Sequence, residues 1–162
     1  MFLKGGLPGA ILGGWQLQTI TSWISGLPFT VTGNTGQLNT AGNTQTAQLL
    51  VPQLQIYGAH NRNAAGQVAY FNPANFGSAG TVFGNTGRNQ FRGPGAFDLD
   101  AGVKRSIHIY EGVSVEFQAE AFSLTNTPIF GNPTADQTNT ANGVISTATG
   151  NRKVRLSARI KF

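Results

Sequence analysis

The chain has 162 residues, enough for one domain with a core, and its eleven Phe and two Trp argue against disorder along its whole length. Only 10 per cent of the residues are charged, far below the roughly 25 per cent of soluble proteins, and the absence of Cys excludes disulfides and thiolate chemistry. The net charge of +5 does not mark a nucleic-acid partner, because five of the eleven cations lie in the C-terminal stretch, four of them alternating with apolar residues, and no recognition-helix pattern or zinc spacing accompanies them.

In chain order, the start places Lys4 before an apolar patch, but Gly5, Gly6, Pro8 and Gly9 interrupt it, so it does not read as a signal peptide. No run of about 18 apolar residues exists, so no transmembrane helix is expected. The expectation is a C-terminal piece of a longer exported protein. Trp15 to Thr32 reads as a long strand, with Trp15, Leu17, Thr19, Thr21 and Trp23 on one parity and Gln16, Gln18 and Ser22 on the other, extended past a bend at Gly26 by Pro28 to Thr32. Its two Trp residues suit the aromatic girdles of a membrane barrel; two core Trp residues of a soluble sandwich are the plainer alternative.

Gly33 to Gly95 is expected to be mostly loop, rich in Asn, Thr, Gly and Gln, with local pairing at Gln48 to Val51 and Gln67 to Phe71. Phe97 to Ile109 is the next strand: Phe97, Leu99, Ala101, Val103 and Arg105 share one parity, and Asp98, Asp100, Gly102, Lys104 and Ser106 the other. Tyr110-Glu111-Gly112 is a short turn, after which Val113, Val115, Phe117, Ala119 and Ala121 alternate with Ser114, Glu116, Gln118 and Glu120, giving a β-hairpin. A second loop runs from Thr125 to Asn151, with Gly143 to Ala148 as a strand extension leading toward the last strand. Arg152 to Phe162 alternates without a break: Val154, Leu156, Ala158, Ile160 and Phe162 against Lys153, Arg155, Ser157, Arg159 and Lys161.

Four strands alternate up and down. Their length matches tilted membrane-spanning strands of roughly 9–11 residues, apolar toward lipid and polar toward a lumen. The fold expected is therefore all-β, an antiparallel up-and-down transmembrane β-barrel segment with long external loops and too few strands to close. The connections after the first and third strands are long and the one after the second is short, which puts the C-terminus in the periplasm. Glu116 and Glu120 then share a lumen wall with Lys153, Arg155 and Arg159, and such cross-strand pairs help pin register.

Gly84 to Gly95 followed by Phe97-Asp98-Leu99-Asp100 resembles the GN-GRN-RGPG run that leads into a late strand of Oar-like TonB-dependent transporters. Phe117 to Pro133 resembles that family's aromatic, Asn- and Pro-rich run after a strand, and Gly13 to Leu17 and Ser25 to Phe29 are similar to its GGWQL and SG-PF signatures. The resemblance covers nearly the whole chain. It implies the last four strands of a plugged barrel of roughly 22 strands, in the outer membrane of a Gram-negative type of cell. Its partners would be outer-membrane lipid, a nutrient substrate, and the TonB complex acting through parts outside this chain. Phe162 looks like the terminal aromatic read by the barrel-assembly machinery.

Asp98 and Asp100 lie on one strand face, roughly 7 Å apart by strand rise. They are expected to be lumen-facing acids near Lys104 and Arg92 rather than an acid and base pair or a cation site. His60 and His108 have no third ligand or nucleophile at a recognisable spacing, and the glycines of Gly84 to Gly95 lack the Lys and helix of a phosphate loop. Arg88, Asn89 and Arg92 are expected to fix that loop to the barrel rim by hydrogen bonds, and Thr35 to Thr46 to be solvated loop. No cofactor and no enzymatic activity are expected. The reading is transport of a nutrient, with a surface-exposed or secreted β-sheet protein for adhesion or carbohydrate binding as the alternative.

Overall fold

The computed structural model describes residues 13–33 and 45–162. The alternation of the sequence becomes four long strands: β1 (Trp15–Ile24), β2 (Ala96–Tyr110), β3 (Val113–Phe122) and β4 (Lys153–Lys161). They form one sheet in the order β1-β2-β3-β4, antiparallel from β2 through β4 and unclosed among the described residues. The β2–β3 hairpin turns on Glu111 and Gly112, and Gly112 has φ +79, a conformation that a residue without Cβ adopts at no steric cost. Tyr110, expected in the turn, instead pairs with Val113, because a register shift between His108 and Tyr110 takes up one residue.

Contacts divide the chain into two compact units. One holds the sheet, and the other holds 24–96 and 128–149. The second unit is mostly loop by backbone, as expected, but it is packed around a hydrophobic core. It is built on four two-residue pairings: Pro28–Phe29 with Phe91–Arg92, Gln48–Leu49 with Phe76–Gly77, Val68–Ala69 with Val144–Ile145, and Ile129–Phe130 with Ala148–Thr149. The segment from Gln67 to Phe71 does pair locally, through the bridges Arg62–Val68 and Ile56–Phe71, as well as with Val144–Ile145, whereas Gln48–Leu49 pairs with Phe76–Gly77 and the segment from Gly143 to Ala148 is divided between two partners. Phe29 stacks on Phe71 at 6.1 Å between ring centroids, and Phe76 meets Phe71 edge-on at 5.3 Å and Phe91 at 5.7 Å. Edge-on and offset contacts of this kind add about 0.5–1.5 kcal/mol per pair beyond burial. Of the stretch Thr35 to Thr46, only Gln45 and Thr46 lie within the described residues.

The bend expected at Gly26 is present, but past it only Pro28–Phe29 is strand, and it pairs with Phe91–Arg92 instead of extending β1 to Thr32. A Cβ on Gly26 would overlap the Gly93 carbonyl, so the chain at Gly26 lies directly against another backbone, and Pro28–Phe29 begins a new pairing.

Burial is distributed unusually. Every buried hydrophobic residue among those described (Phe29, Val31, Ala47, Val68, Tyr70, Phe71, Phe76 and Ile145) belongs to the second unit. In the sheet the pattern is inverted: Glu116 is 8% exposed, while Leu156 is 77% and Trp23 86% exposed.

Candidate functional site

Strand register assembles the polar face. Glu120 lies between Gly102 on β2 and Arg155 on β4, and Glu116 lies between Ser106 and Arg159. The direct partners are not the closest ones. Glu116 Oε2 accepts a hydrogen bond from Lys161 Nζ at 3.0 Å and pairs with Lys104 Nζ at 3.3 Å, so the carboxylate ties β2, β3 and β4 together. Arg155 reaches Glu120 at 3.8 Å, and Gln118 Nε2 donates to the same carboxylate at 2.9 Å. The Arg155 guanidinium also sits 5.7 Å from the centre of the Phe122 ring.

The remaining charged positions are placed as follows. Lys104 was expected beside Asp98 and Asp100, but it pairs with Glu116. Asp100 instead accepts the backbone N–H of Ser123 at 2.8 Å, holding the end of β3 against β2. Asp98 is on the same face of β2, and Lys153 and Arg159 are on the corresponding face of β4, with Lys153 opposite Phe122. Gly102 leaves a shallow hollow of about 90 Å³ lined by Gln18, Asp100, Glu120 and Phe122. Lys161 is the charged residue that sequence reasoning did not single out as a partner. Its parity was visible, but its ion pair is diagonal across the strands, and cross-strand neighbours count diagonals as well as direct opposites.

The opposite face is apolar and open. Val154, Leu156 and Ile160 are 66%, 77% and 63% exposed and are not packed into a closed two-sheet core. A contiguous apolar surface of this kind is rare on soluble monomers and marks contact with another phase or partner. Arg105 interrupts it: it pairs with Phe117, which pairs with Ala158, so its row belongs to the apolar side. Its guanidinium lies 5.3 Å from the centre of the Trp15 ring. On the lipid face of a barrel a cation costs about 2–4 kcal/mol at the midplane and roughly 0–1 kcal/mol near the interface.

Within the second unit, three short Gly- and Pro-containing stretches converge. Gly93 N–H donates to the Leu27 carbonyl at 2.9 Å, Arg92 donates to the Gly26 carbonyl at 3.2 Å, and Asn132 Nδ2 donates to the Pro28 carbonyl at 3.4 Å. Tyr70 Oη closes the knot by donating to the Arg92 carbonyl at 2.9 Å. Burial pushes the Tyr70 phenol up from 10.0. A Cβ on Gly93 would overlap Asn132, so the spacing of these stretches reflects a close approach of three chain segments. Arg92, through its side chain to Gly26, and Asn89, through its backbone N–H to Thr30 Oγ1 at 2.8 Å, bond within the second unit rather than to the long strands of the sheet as expected. Arg88 lines a small cavity with Thr30, Thr32 and Thr46.

Neither the curated proteins nor the solved structures give a match to this chain. A profile described as "Outer membrane beta barrel domain" matches residues 1–155, and its match agrees with an exposed apolar face backed by a braced charged face; the chain belongs to that family.

Proposed function

We propose that this chain is the C-terminal part of an Oar-like TonB-dependent transporter, contributing barrel wall and outward loops to the binding and uptake of a nutrient. The single observation that carries the reading is the inverted sheet: apolar residues exposed on one side, and a carboxylate braced by cations from two neighbouring strands on the other. In water this arrangement wastes the apolar surface. As a wall between lipid and a wet lumen it uses both faces.

Orientation follows from the connections. The short turn at Glu111–Gly112 is assigned to the periplasmic side and the long connections after β1 and β3 to the outer side, as long loops and short turns divide in such barrels. The sheet's outer strands β1 and β4 need neighbours, because unpaired backbone is too costly in hydrocarbon. Those neighbours, a plug and the TonB-contacting segment belong to the rest of the polypeptide. The role is non-enzymatic and needs no cofactor. The motif resemblance supports the transporter assignment, since the stretches that carry it in the second unit are those that meet around Gly93.

The test is the reading frame upstream of Met1 together with uptake. An in-frame plug and signal peptide, and nutrient uptake that stops when TonB is deleted, are expected. A stop codon immediately upstream, or uptake indifferent to TonB, would overturn the transporter reading while leaving the barrel intact.

A further inference from the structure

We propose that Arg88, with the hydroxyls of Thr30, Thr32 and Thr46, binds a small hydroxycarboxylate in the second unit. Arg88 stands out by charge. Residues 24–96 and 128–149 contain three arginines, Arg62, Arg88 and Arg92, and one acid, Asp136. Arg92 is held by the Gly26 carbonyl, and Asp136 Oδ1 accepts both the backbone N–H and the hydroxyl of Thr138. Arg62 lines a wide groove walled by Val68, Val144 and Ile145, whereas Arg88 shares its hollow with hydroxyls. The Arg88 guanidinium makes no hydrogen bond or ion pair among the described residues, although the backbone on either side of it is fixed. Thr86 Oγ1 donates to the Ala47 carbonyl at 2.8 Å, and Asn89 N–H donates to Thr30 Oγ1 at 2.8 Å. A cation placed in this way is positioned in advance for a ligand, which lowers the cost of binding one.

The hydroxyls are placed by alternation. Val31 is buried, so its neighbours Thr30 and Thr32 point to the other side of the paired backbone. Thr32 bridges Thr46 in antiparallel fashion, and Gln45 and Ala47 are buried, which puts Thr46 on the same side as Thr32. Gly33 N–H to the Gln45 carbonyl at 2.9 Å and Ala47 N–H to the Val31 carbonyl at 3.0 Å hold the two segments together. With Arg88 the three threonines line a hollow of about 130 Å³, about four times the roughly 30 Å³ share of one liquid water, which suits a short acid rather than a sugar chain. Hydrogen-bond accounting decides what the hollow offers. Thr30 Oγ1 accepts from Asn89, so its own hydrogen is free to be donated. Thr32 and Thr46 commit theirs to the Ala135 and Gly84 carbonyls, at 3.2 and 3.4 Å, and keep lone pairs. A guanidinium fork and one hydroxyl donor thus meet an oxyanion, and two acceptor oxygens meet hydroxyls on the same ligand. Sulfate has no hydrogen to give those acceptors. Asp136, bridged to Thr32 through the backbone and so about 4.8 Å away by strand spacing, disfavours a second negative charge on the ligand.

The experiment measures glycerate binding to the intact outer-membrane protein in detergent micelles by isothermal titration calorimetry, with propionate, glycerol, sulfate and phosphate as comparison ligands. Glycerate is expected to bind more tightly than propionate, which lacks the hydroxyls, and glycerol, which lacks the carboxylate, is expected not to bind. R88Q should lower glycerate affinity about tenfold or more, the scale of one hydrogen bond to a charged group. T32V and T46V should each weaken glycerate about threefold and leave propionate unchanged, whereas T30V should weaken both. R62Q removes the same charge from the same unit and is expected to bind glycerate as the unmutated protein does. Equal glycerate affinity in R88Q and the unmutated protein overturns the proposal. So does an equal loss in R62Q, which would reduce the effect to net charge, or tighter binding of sulfate or phosphate than of glycerate, which would make this a plain anion site. If R88Q does not assemble, as judged by heat-modifiable mobility, the unmutated protein still decides: equal affinity for glycerate and propionate, or no saturable glycerate binding, refutes the site. The measurement needs neither uptake nor TonB, so failure of the transporter reading leaves this result separately readable.

Discussion

The sharpest structural demand in the chain falls on Gly26, and G26A tests it. A methyl group there overlaps the Gly93 carbonyl, and the neighbour is backbone that cannot rotate away. To relieve the overlap, the segments must part. That weakens the Gly93 N–H bond to Leu27 and the Arg92 bond to Gly26. Forcing an extra carbon into a packed site costs about 1–3 kcal/mol, and each weakened hydrogen bond adds about 1 kcal/mol. A total of about 3 kcal/mol corresponds to a roughly hundredfold rise in amide exchange for the unit that opens. Hydrogen exchange by mass spectrometry on outer-membrane preparations would read it in peptides covering 27–33, 68–76 and 91–95. Heat-modifiable mobility of the barrel serves as the control for assembly. Unchanged exchange in those peptides, with the barrel assembled, would refute the argument from close approach.

Leu156 offers a test of which face meets lipid: L156K should cost about 2–4 kcal/mol in urea-titrated folding into phospholipid vesicles if the residue is near the midplane, and no change relative to wild type would mean that this face is not in hydrocarbon. E116Q removes the carboxylate shared by Lys104 and Lys161, so its thermal unfolding temperature should fall. Combining it with K161Q should recover part of the loss, and strict additivity of the two substitutions would show that the pair is uncoupled. Tyr70 tests the core of the second unit by pH. Because its phenol is pushed up from 10.0, the folded form favours the neutral ring, so its stabilisation is complete below 10.0 and is lost as pH rises through the higher folded value. Y70F should therefore remove an alkaline step in protease resistance, at a cost near neutral pH of about 1 kcal/mol for the hydrogen bond to Arg92.

What the sequence made legible was local. The long strands announce themselves by a period of two, which is why β2 to β4 fall within one or two residues of where alternation puts them. Arg105 sat on the apolar parity from the start, although the reason for tolerating it there, the Trp15 ring, appears only in three dimensions. The second unit was opaque for the opposite reason. Two-residue strands carry no periodicity, and the pairing of Val68–Ala69 with Val144–Ile145 joins segments some seventy-five residues apart. Its Phe residues are scattered among Asn, Gly and Pro, a composition that reads as loop until Phe29, Phe71, Phe76 and Phe91 are seen in contact. In the charged site, β3–β4 pairing was inferable from parity, but the choice of Lys161 over Arg159 for Glu116 depends on diagonal reach.

The two units therefore solve the hydrophobic problem in different solvents. The second unit buries Phe29, Tyr70, Phe71 and Phe76 in its own interior, as a water-soluble protein does, and ties the chain segments together at glycines where no side chain fits. The sheet has no buried apolar residue among those described and leaves its Leu, Ile, Val and Trp side chains outside any internal core. Without an internal core, the sheet depends on its backbone ladder and on the cross-strand ion pairs to fix register. A one-residue slip of β4 would exchange its faces, putting Lys153, Arg155, Arg159 and Lys161 on the apolar side of the sheet and Leu156 on the charged side. The same slip in a strand polar on both sides would cost little. The alternation that first identified β4 is thus also the physical reason that only one register of it can persist in a bilayer.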